Sequence, residues 1–397
     1  MELTKRQEEG LKVAVARYKN RERYTCISGY AGSGKSTLVK FIIQSLPGVD
    51  PETDVVYATY TGKAAQVLLK KGNKNVSTLH KLLYESIPRS DGTWIRKPVD
   101  IIPYKIVVVD EVSMVPQSMI DQLFRHSIYL LALGDPFQLP PINQDDANTL
   151  LEYPHVFLDE IMRQAQESEI IRVSMGIREG KPLELLDGNE VKIFNPADFS
   201  ESMLLWADQV LVGTNATRIN LNCITRDLLG KQGGPQEGDK VICLRNYWET
   251  FADNGDPLVN GTIGYLKNSY SSFVSFPKNL GGGRYDTTEA DFVSDSGAEF
   301  NHLSMDKKMI MTGEKCCDWK TAYAIGRSVK HAWKMPKEFT YGYAITGHKA
   351  QGSQWDKVLI VEERFPFDKV EHARWLYTCV TRAVEKAVII KNNQSTN

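Results

Sequence analysis

Apolar positions fall into two kinds of run along the first third of the chain. Tyr24–Ser28, Asp54–Ala58, Ile106–Val109 and Tyr129–Leu133 are short, nearly continuous apolar stretches of strand length. Between the first two, Thr37–Leu46 carries Leu38, Phe41, Ile42 and Leu46 on one helical face. Continuous apolar strands alternating with helices predict a parallel sheet covered on both faces. Residues 84–103 break this rhythm. There Asp91-Gly92, flanked by Ile87, Trp94 and Ile95, predicts a β-hairpin insertion.

A second α/β set begins near Gln209-Val-Leu-Val, resumes at Asp356-Lys-Val-Leu-Ile-Val and ends with Ala387-Val-Ile-Ile. Between its halves, Gly233-Gly234 and Gly281-Gly282-Gly283 punctuate short alternating segments such as Tyr270-Ser-Ser-Phe-Val-Ser-Phe. That pattern predicts an antiparallel β insertion. Its aromatics Trp248, Tyr270, Phe273, Trp319 and Trp333 are expected mostly in its own core. The predicted organisation is a first core over 1–83 and 104–180 with the hairpin at 84–103. A second core covers 181–231 and 336–397, and the β-rich insertion covers 232–335.

The 397 residues suffice for two or three domains. With 48 Lys and Arg against 49 Asp and Glu, the net charge of −1 excludes a polycationic nucleic-acid coat but not a local basic groove. No apolar run approaches the roughly 18 residues of a membrane span. The N-terminus lacks a signal-like stretch. Six cysteines without C-x-x-C spacing are expected to be reduced, and neither they nor the scattered histidines suggest a zinc site. The expected setting is cytoplasmic, with no membrane partner.

Gly29-Tyr-Ala31-Gly32-Ser33-Gly34-Lys35-Ser36 matches the phosphate-binding P-loop and lies between a predicted strand and a predicted helix. Backbone N–H groups from Gly29 to Thr37 and the helix N-terminus would cradle phosphates. Lys35 would reach the β and γ phosphates, and Ser36 would ligate Mg²⁺. Val107-Val-Val-Asp110-Glu111 ends another strand with two carboxylates. Asp110 would join the metal shell, and Glu111 would polarise the attacking water. Gln138, on the loop after Gly134-Asp135, would sense the γ-phosphate or satisfy local backbone; chemistry alone leaves both readings open.

With these motifs in order, the chain resembles superfamily 1 DNA helicases, specifically the RecD/Dda-like 5′-to-3′ branch and its compact phage-type members. Thr4-Lys-Arg-Gln7 resembles the glutamine motif that reads adenine. Tyr60 precedes Thr61-Gly-Lys63-Ala-Ala, and Ser77-Thr78-Leu-His80 follows; both resemble strand-contacting motifs. Gly134-Asp135-Pro-Phe-Gln138 is similar to the coupling motif, and Ile161-Met-Arg163-Gln164 to the segment whose arginine contacts γ-phosphate. Tyr343-Ala-Ile-Thr346-Gly-His348-Lys349-Ala-Gln351-Gly-Ser-Gln354 resembles the motif touching both DNA and nucleotide. Leu376-Tyr-Thr-Cys-Val-Thr381-Arg382 resembles the arginine-finger motif.

The resemblance implies an α/β fold of two RecA-like parallel-sheet cores, the first carrying the hairpin and the second an SH3-like β insertion. It implies Mg-ATP as substrate, with Gln354 at the ribose and Tyr60, Thr61, Lys63, Thr78, His80, Trp94, Tyr343, Thr346, His348 and Lys349 on the DNA. Expected partners are single-stranded and duplex-tailed DNA, with replication or recombination proteins, for a chain that acts as a monomer. Three departures stand out. Tyr60 occupies a usual proline position, Gln354 an acidic one, and Gly347 a β-branched one, which is expected to loosen the backbone beside His348. Other open readings are a translocase without useful unwinding, an RNA helicase, a P-loop kinase or metabolic ATPase, and a non-catalytic ATP-gated DNA-binding module.

Overall fold

A computed structural model describes residues 3–88, 94–140, 146–162, 166–328, 331–366 and 368–392. The chain divides into two units. One comprises both α/β cores, drawn from 1–84, 98–214 and 346–397. The other comprises 85–97 and 215–345.

In the first core six strands run Val76–Thr78, Val55–Thr59, Ile106–Val109, Tyr129–Gly134, Tyr24–Gly29 and Val156–Leu158 across the sheet. All their pairings are parallel. The continuous apolar runs follow from covering both faces. Val107, Val109, Leu130 and Ala132 pack into one cluster, while their neighbours Ile106, Val108, Leu131 and Leu133 pack into another. Alternation along each strand therefore buries apolar side chains on both sides. Lys35–Ser45 is helical, with Leu38, Val39, Ile42 and Ile43 inward. Gly29, Thr59, Asp110 and Asp135 all lie at or just beyond carboxyl ends of these strands, where open parallel sheets form their ligand crevice.

In the second core Gln209–Val212, Trp355–Val361, Ala383–Ile390 and Val191–Phe194 run parallel, with Leu186–Asp187 antiparallel at the edge. The helix Lys369–Val380 ends at Thr381 and Arg382, with residues 375–380 buried.

The other unit centres on a five-stranded antiparallel sheet ordered Glu299–Asp306, Arg284–Ser294, Ile263–Ser275, Lys240–Cys243 and Phe339–Tyr341. The last strand lies beyond the boundary expected at 335. Phe292, Phe300 and Phe339 fill its core. Asp239, fully buried, accepts from Arg226 at 3.1 Å and from the Tyr343 hydroxyl at 2.9 Å, which compensates the carboxylate's lost hydration. The expectation that Trp248, Tyr270, Phe273, Trp319 and Trp333 are mostly core residues is overturned at four of them. Tyr270 is 63% exposed, Phe273 52%, Trp319 73% and Trp333 74%. The Trp248 side chain lies outside the described residues. So does the hairpin turn with Asp91-Gly92, whose strands are Tyr84–Pro88 and Trp94–Pro98.

Candidate active site

The P-loop is shaped by two left-handed glycines, Gly32 at φ 77° and Gly34 at φ 78°. A Cβ on Gly34 would collide with the Gln7 amide. Gln7 is buried; its Oε1 accepts from Thr4 N–H, completing a capping box, and its Nε2 donates to Ser33 O at 3.3 Å. This amide, expected to read adenine, braces the loop. The Lys35 ammonium donates to Gly29 O at 2.7 Å and Tyr30 O at 3.0 Å.

Asp110 and Glu111 follow the strand Ile106–Val109. Asp110 Oδ1 accepts from the Glu111 N–H, and Glu111 stands in the left-handed region at φ 52°. Such a backbone costs a non-glycine residue about 1 kcal/mol, consistent with a carboxylate held in a set direction. Burial, with Glu111 next to it, pushes the Asp110 carboxyl above its usual range, and Lys35 pulls the other way.

Arg382 is the cation that meets this pair. Its guanidinium lies 3.1 Å from Glu111 Oε1 and also donates to Thr378 O and Ser353 O. Glu111 Oε2, Gln138 Oε1 and Ser33 Oγ are buried, without a hydrogen-bond partner among the described residues. Unsatisfied buried oxygens are rare in stable structures, so these three mark where a polar ligand or water would be accommodated.

Four hydrogen bonds here escaped the sequence. The Tyr377 hydroxyl accepts from Ala31 N–H of the P-loop at 2.8 Å and donates to Asp135 Oδ2 at 2.6 Å. Burial and the Asp135 charge push that hydroxyl well above its usual range, so it remains a donor. Thr378 Oγ1 accepts from Leu139 N–H, and Gln351 Nε2 donates to Leu139 O. The second core thus grips both the P-loop and the loop bearing Gln138. The available signal was a tyrosine in a largely apolar helical stretch, whose hydroxyl needs a buried partner.

Among the remaining site residues, Ser36, Thr37 and Asp110 edge a cavity of about 240 Å³ whose other walls include Val39, Leu68, Val108 and Leu133. A hydroxyl and a carboxylate suit Mg²⁺, which binds through one or two protein oxygens and fills its shell with phosphate and water. Among the described residues no cluster of three His, Cys, Asp or Glu could hold a metal alone. Gln354 is exposed. Arg163 and Gln164 lie outside the described residues.

Of the expected strand contacts, Thr61 and Thr78 are helix N-caps, accepting from Ala64 N–H and Lys81 N–H. Lys63 lies over the Trp355 ring at 4.2 Å, and Tyr60 packs against His80 at 5.4 Å. Thr346 and Lys349 are half-buried, and burial lowers the pKa of His348, favouring its neutral form. Tyr343 belongs to the other unit and is committed to Asp239. Nothing is described of the Trp94 side chain.

Gly347 does not have the loosening role expected of it. A Cβ there would stand 2.6 Å from Trp375 Nε1 and 2.8 Å from Cys379 Sγ, and its N–H already donates to Val212 O. Glycine lets the helix Lys369–Val380 approach the backbone. Gly347→Val should lower stability by about 1–3 kcal/mol through overpacking, measured by thermal melting. An unchanged transition would show that the helix has slack.

A model of the AAA domain matches residues 2–192, and a model of the UvrD-like helicase C-terminal domain matches residues 341–390. The ATP-dependent DNA helicase dda of Enterobacteria phage T4 is 24% identical, over 96% of this chain and 97% of its own. The chain is similar to superfamily 1 ATP-dependent DNA helicases. The ATP-dependent RecD2 DNA helicase of Deinococcus radiodurans is 25% identical to it, over 92% of this chain and 46% of that protein. A Pif1 helicase from Bacteroides, solved with ADP-AlF3 and ssDNA, shares the fold at TM-score 0.53 and 17% identity, over 100% of this chain and 94% of that chain. The protein is an ATP-hydrolysing enzyme.

Proposed function

We propose that the chain is a superfamily 1 helicase that walks 5′ to 3′ on single-stranded DNA and parts the duplex ahead, as a compact RecD/Dda-like motor related to Pif1 enzymes. In this reading its five-stranded unit is an SH3-like insertion. The observation that carries the proposal is the Arg382–Glu111 ion pair at 3.1 Å, which joins the end of a second-core helix to a first-core carboxylate. The P-loop N–H groups and Lys35 hold the β and γ phosphates, and Glu111 orients the attacking water. Arg382 stabilises charge on the transferring phosphoryl group, and Gln138 senses the γ-phosphate. Mg²⁺ held by Ser36 and Asp110 would neutralise phosphate charge. Because Arg382 comes from the other core, hydrolysis is tied to the closing of two bodies. Tyr377 and Gln351 carry that closure to the P-loop and the Gln138 loop. The strand lies over Tyr60, Thr61, Lys63, Thr78, His80, Thr346, His348 and Lys349, with phosphate contacts to hold it.

The test is ATP-dependent strand displacement on matched duplexes bearing a 5′ or a 3′ single-stranded tail. Displacement from the 5′ tail alone is expected, with Trp94→Ala reducing displacement more than hydrolysis. Displacement only from the 3′ tail would overturn the direction. Failure on both, by enzyme that hydrolyses ATP when given single strands, would make the chain a translocase without unwinding.

A further inference from the structure

The insertion exposes aromatic side chains that its core does not use, and four of them have a cation beside them. Arg284 lies 3.9 Å from the Phe273 ring centre, although it also stands 3.9 Å from the Asp286 carboxylate. Lys320 lies 5.9 Å from the Trp319 ring and Lys334 5.2 Å from the Trp333 ring. Arg327 donates to the Tyr323 hydroxyl at 3.1 Å, and Tyr323 is itself 60% exposed. These residues come from neighbouring elements. The helix Trp319–Gly326 is tied to the turn between the two long strands, where the Thr321 hydroxyl donates to Gly281 O. The short helical turn Ala332–Lys334 follows it in the chain.

Large exposed aromatics gathered on one unit mark a binding surface, and charge indicates what binds there. Residues 319–334 include Lys320, Arg327, Lys330 and Lys334 but no Asp or Glu. Protein interfaces are depleted of lysine at their centres. Single-stranded nucleic acid, in contrast, is held by ring faces for its bases and cations for its phosphates. We propose that this face is an additional single-strand-binding surface, on which unpaired bases stack against Trp319 and Trp333 while Lys320, Lys334 and Arg284 hold phosphates. The proposal rests on reading the chain as a single-strand motor, and it adds a site outside the two cores.

The test uses the full chain and a long fluorescein-labelled oligothymidylate, followed by anisotropy over a range of salt. Trp319→Ala with Trp333→Ala should weaken binding roughly tenfold or more, and the corresponding Phe pair should keep most of the affinity. Lys320→Gln with Lys334→Gln should make the salt slope shallower by about 1.4, at about 0.7 for each phosphate no longer neutralised. Thermal melting checks that each variant folds; these side chains are exposed, so each should. If the wild type binds strands and the alanine pair binds equally well, the surface is refuted and the motor reading stands. A wild type that binds no strand refutes both. Loss of self-association by the alanine pair, with strand affinity intact, would make the face a protein interface and overturn the proposal.

Discussion

Arg382→Ala should lower the kcat of ATP hydrolysis by on the order of 10³-fold while ATP binding falls far less. An arginine that reaches a transferring phosphoryl group from outside the P-loop is worth about 10³–10⁵ in rate, because it meets charge that appears only in the transition state. Arg382 also has structural duties. It is 2% exposed, and it bonds Thr378 O, Ser353 O and the Thr381 hydroxyl as well as Glu111. Its loss should therefore cost about 2 kcal/mol of stability, less than the 3–5 of a fully buried broken pair because the Glu111 side chain keeps 24% exposure. Two comparisons separate the roles. Arg382→Lys keeps a positive charge without the planar fork and should remain impaired in hydrolysis. Adding Glu111→Gln to Arg382→Ala removes the stranded carboxylate and should recover part of the melting temperature. If Arg382→Ala lost nucleotide binding as severely as turnover, or if Arg382→Lys restored full hydrolysis, the arginine would be a structural tie and not part of the chemistry.

How much of this was legible depends on how far apart the cooperating residues lie in the chain. The strand Ile106–Val109 has the expected bounds, and Tyr24–Gly29 and Tyr129–Gly134 run one residue further, because fully buried parallel strands leave unbroken apolar runs. Val76–Thr78, Val156–Leu158 and Val191–Phe194 went unread because so short a strand shows only when its apolar run is unbroken: Val156–Leu158 has three residues, and Ser77, Thr78 and Lys192 interrupt the other two. Lys35, Ser36, Asp110 and Glu111 could be picked out because their chemistry is local: a turn before a helix, and a pair of carboxylates after a strand. The Tyr377–Asp135 bond joins residues 242 positions apart, and no spacing along the chain records it. Gly347 was misread for the same reason, since Trp375 and Cys379 crowd it from another element. The aromatics of the insertion show a different limit. Alternation along a strand shows that two faces differ, but not which aromatic face the unit leaves uncovered.

Lys35→Ala should abolish measurable ATP hydrolysis, a loss of at least about 10²–10³-fold, with the fold intact. The chemical argument is that the phosphates' negative charge, concentrated further in the transition state, needs a cation inside the P-loop, where N–H dipoles alone supply only partial charges. The structural argument concerns what the ammonium touches. Its partners are the carbonyls of Gly29 and Tyr30, and the loop's shape rests elsewhere, on Gly32, Gly34 and the Gln7–Ser33 bond. Removing the lysine therefore leaves two carbonyls that water can reach, at a cost of roughly 1 kcal/mol. Phosphate release and thermal melting, measured on one preparation, decide the matter. Wild-type turnover in Lys35→Ala would mean that the phosphates do not sit in this loop, and the assignment of the whole site would fall with them. Loss of turnover together with a melting temperature lowered by far more than that small cost would show that the lysine holds the loop together. Loss of turnover with melting nearly unchanged is the expected result, and it would fix Lys35 as a group that acts on the nucleotide.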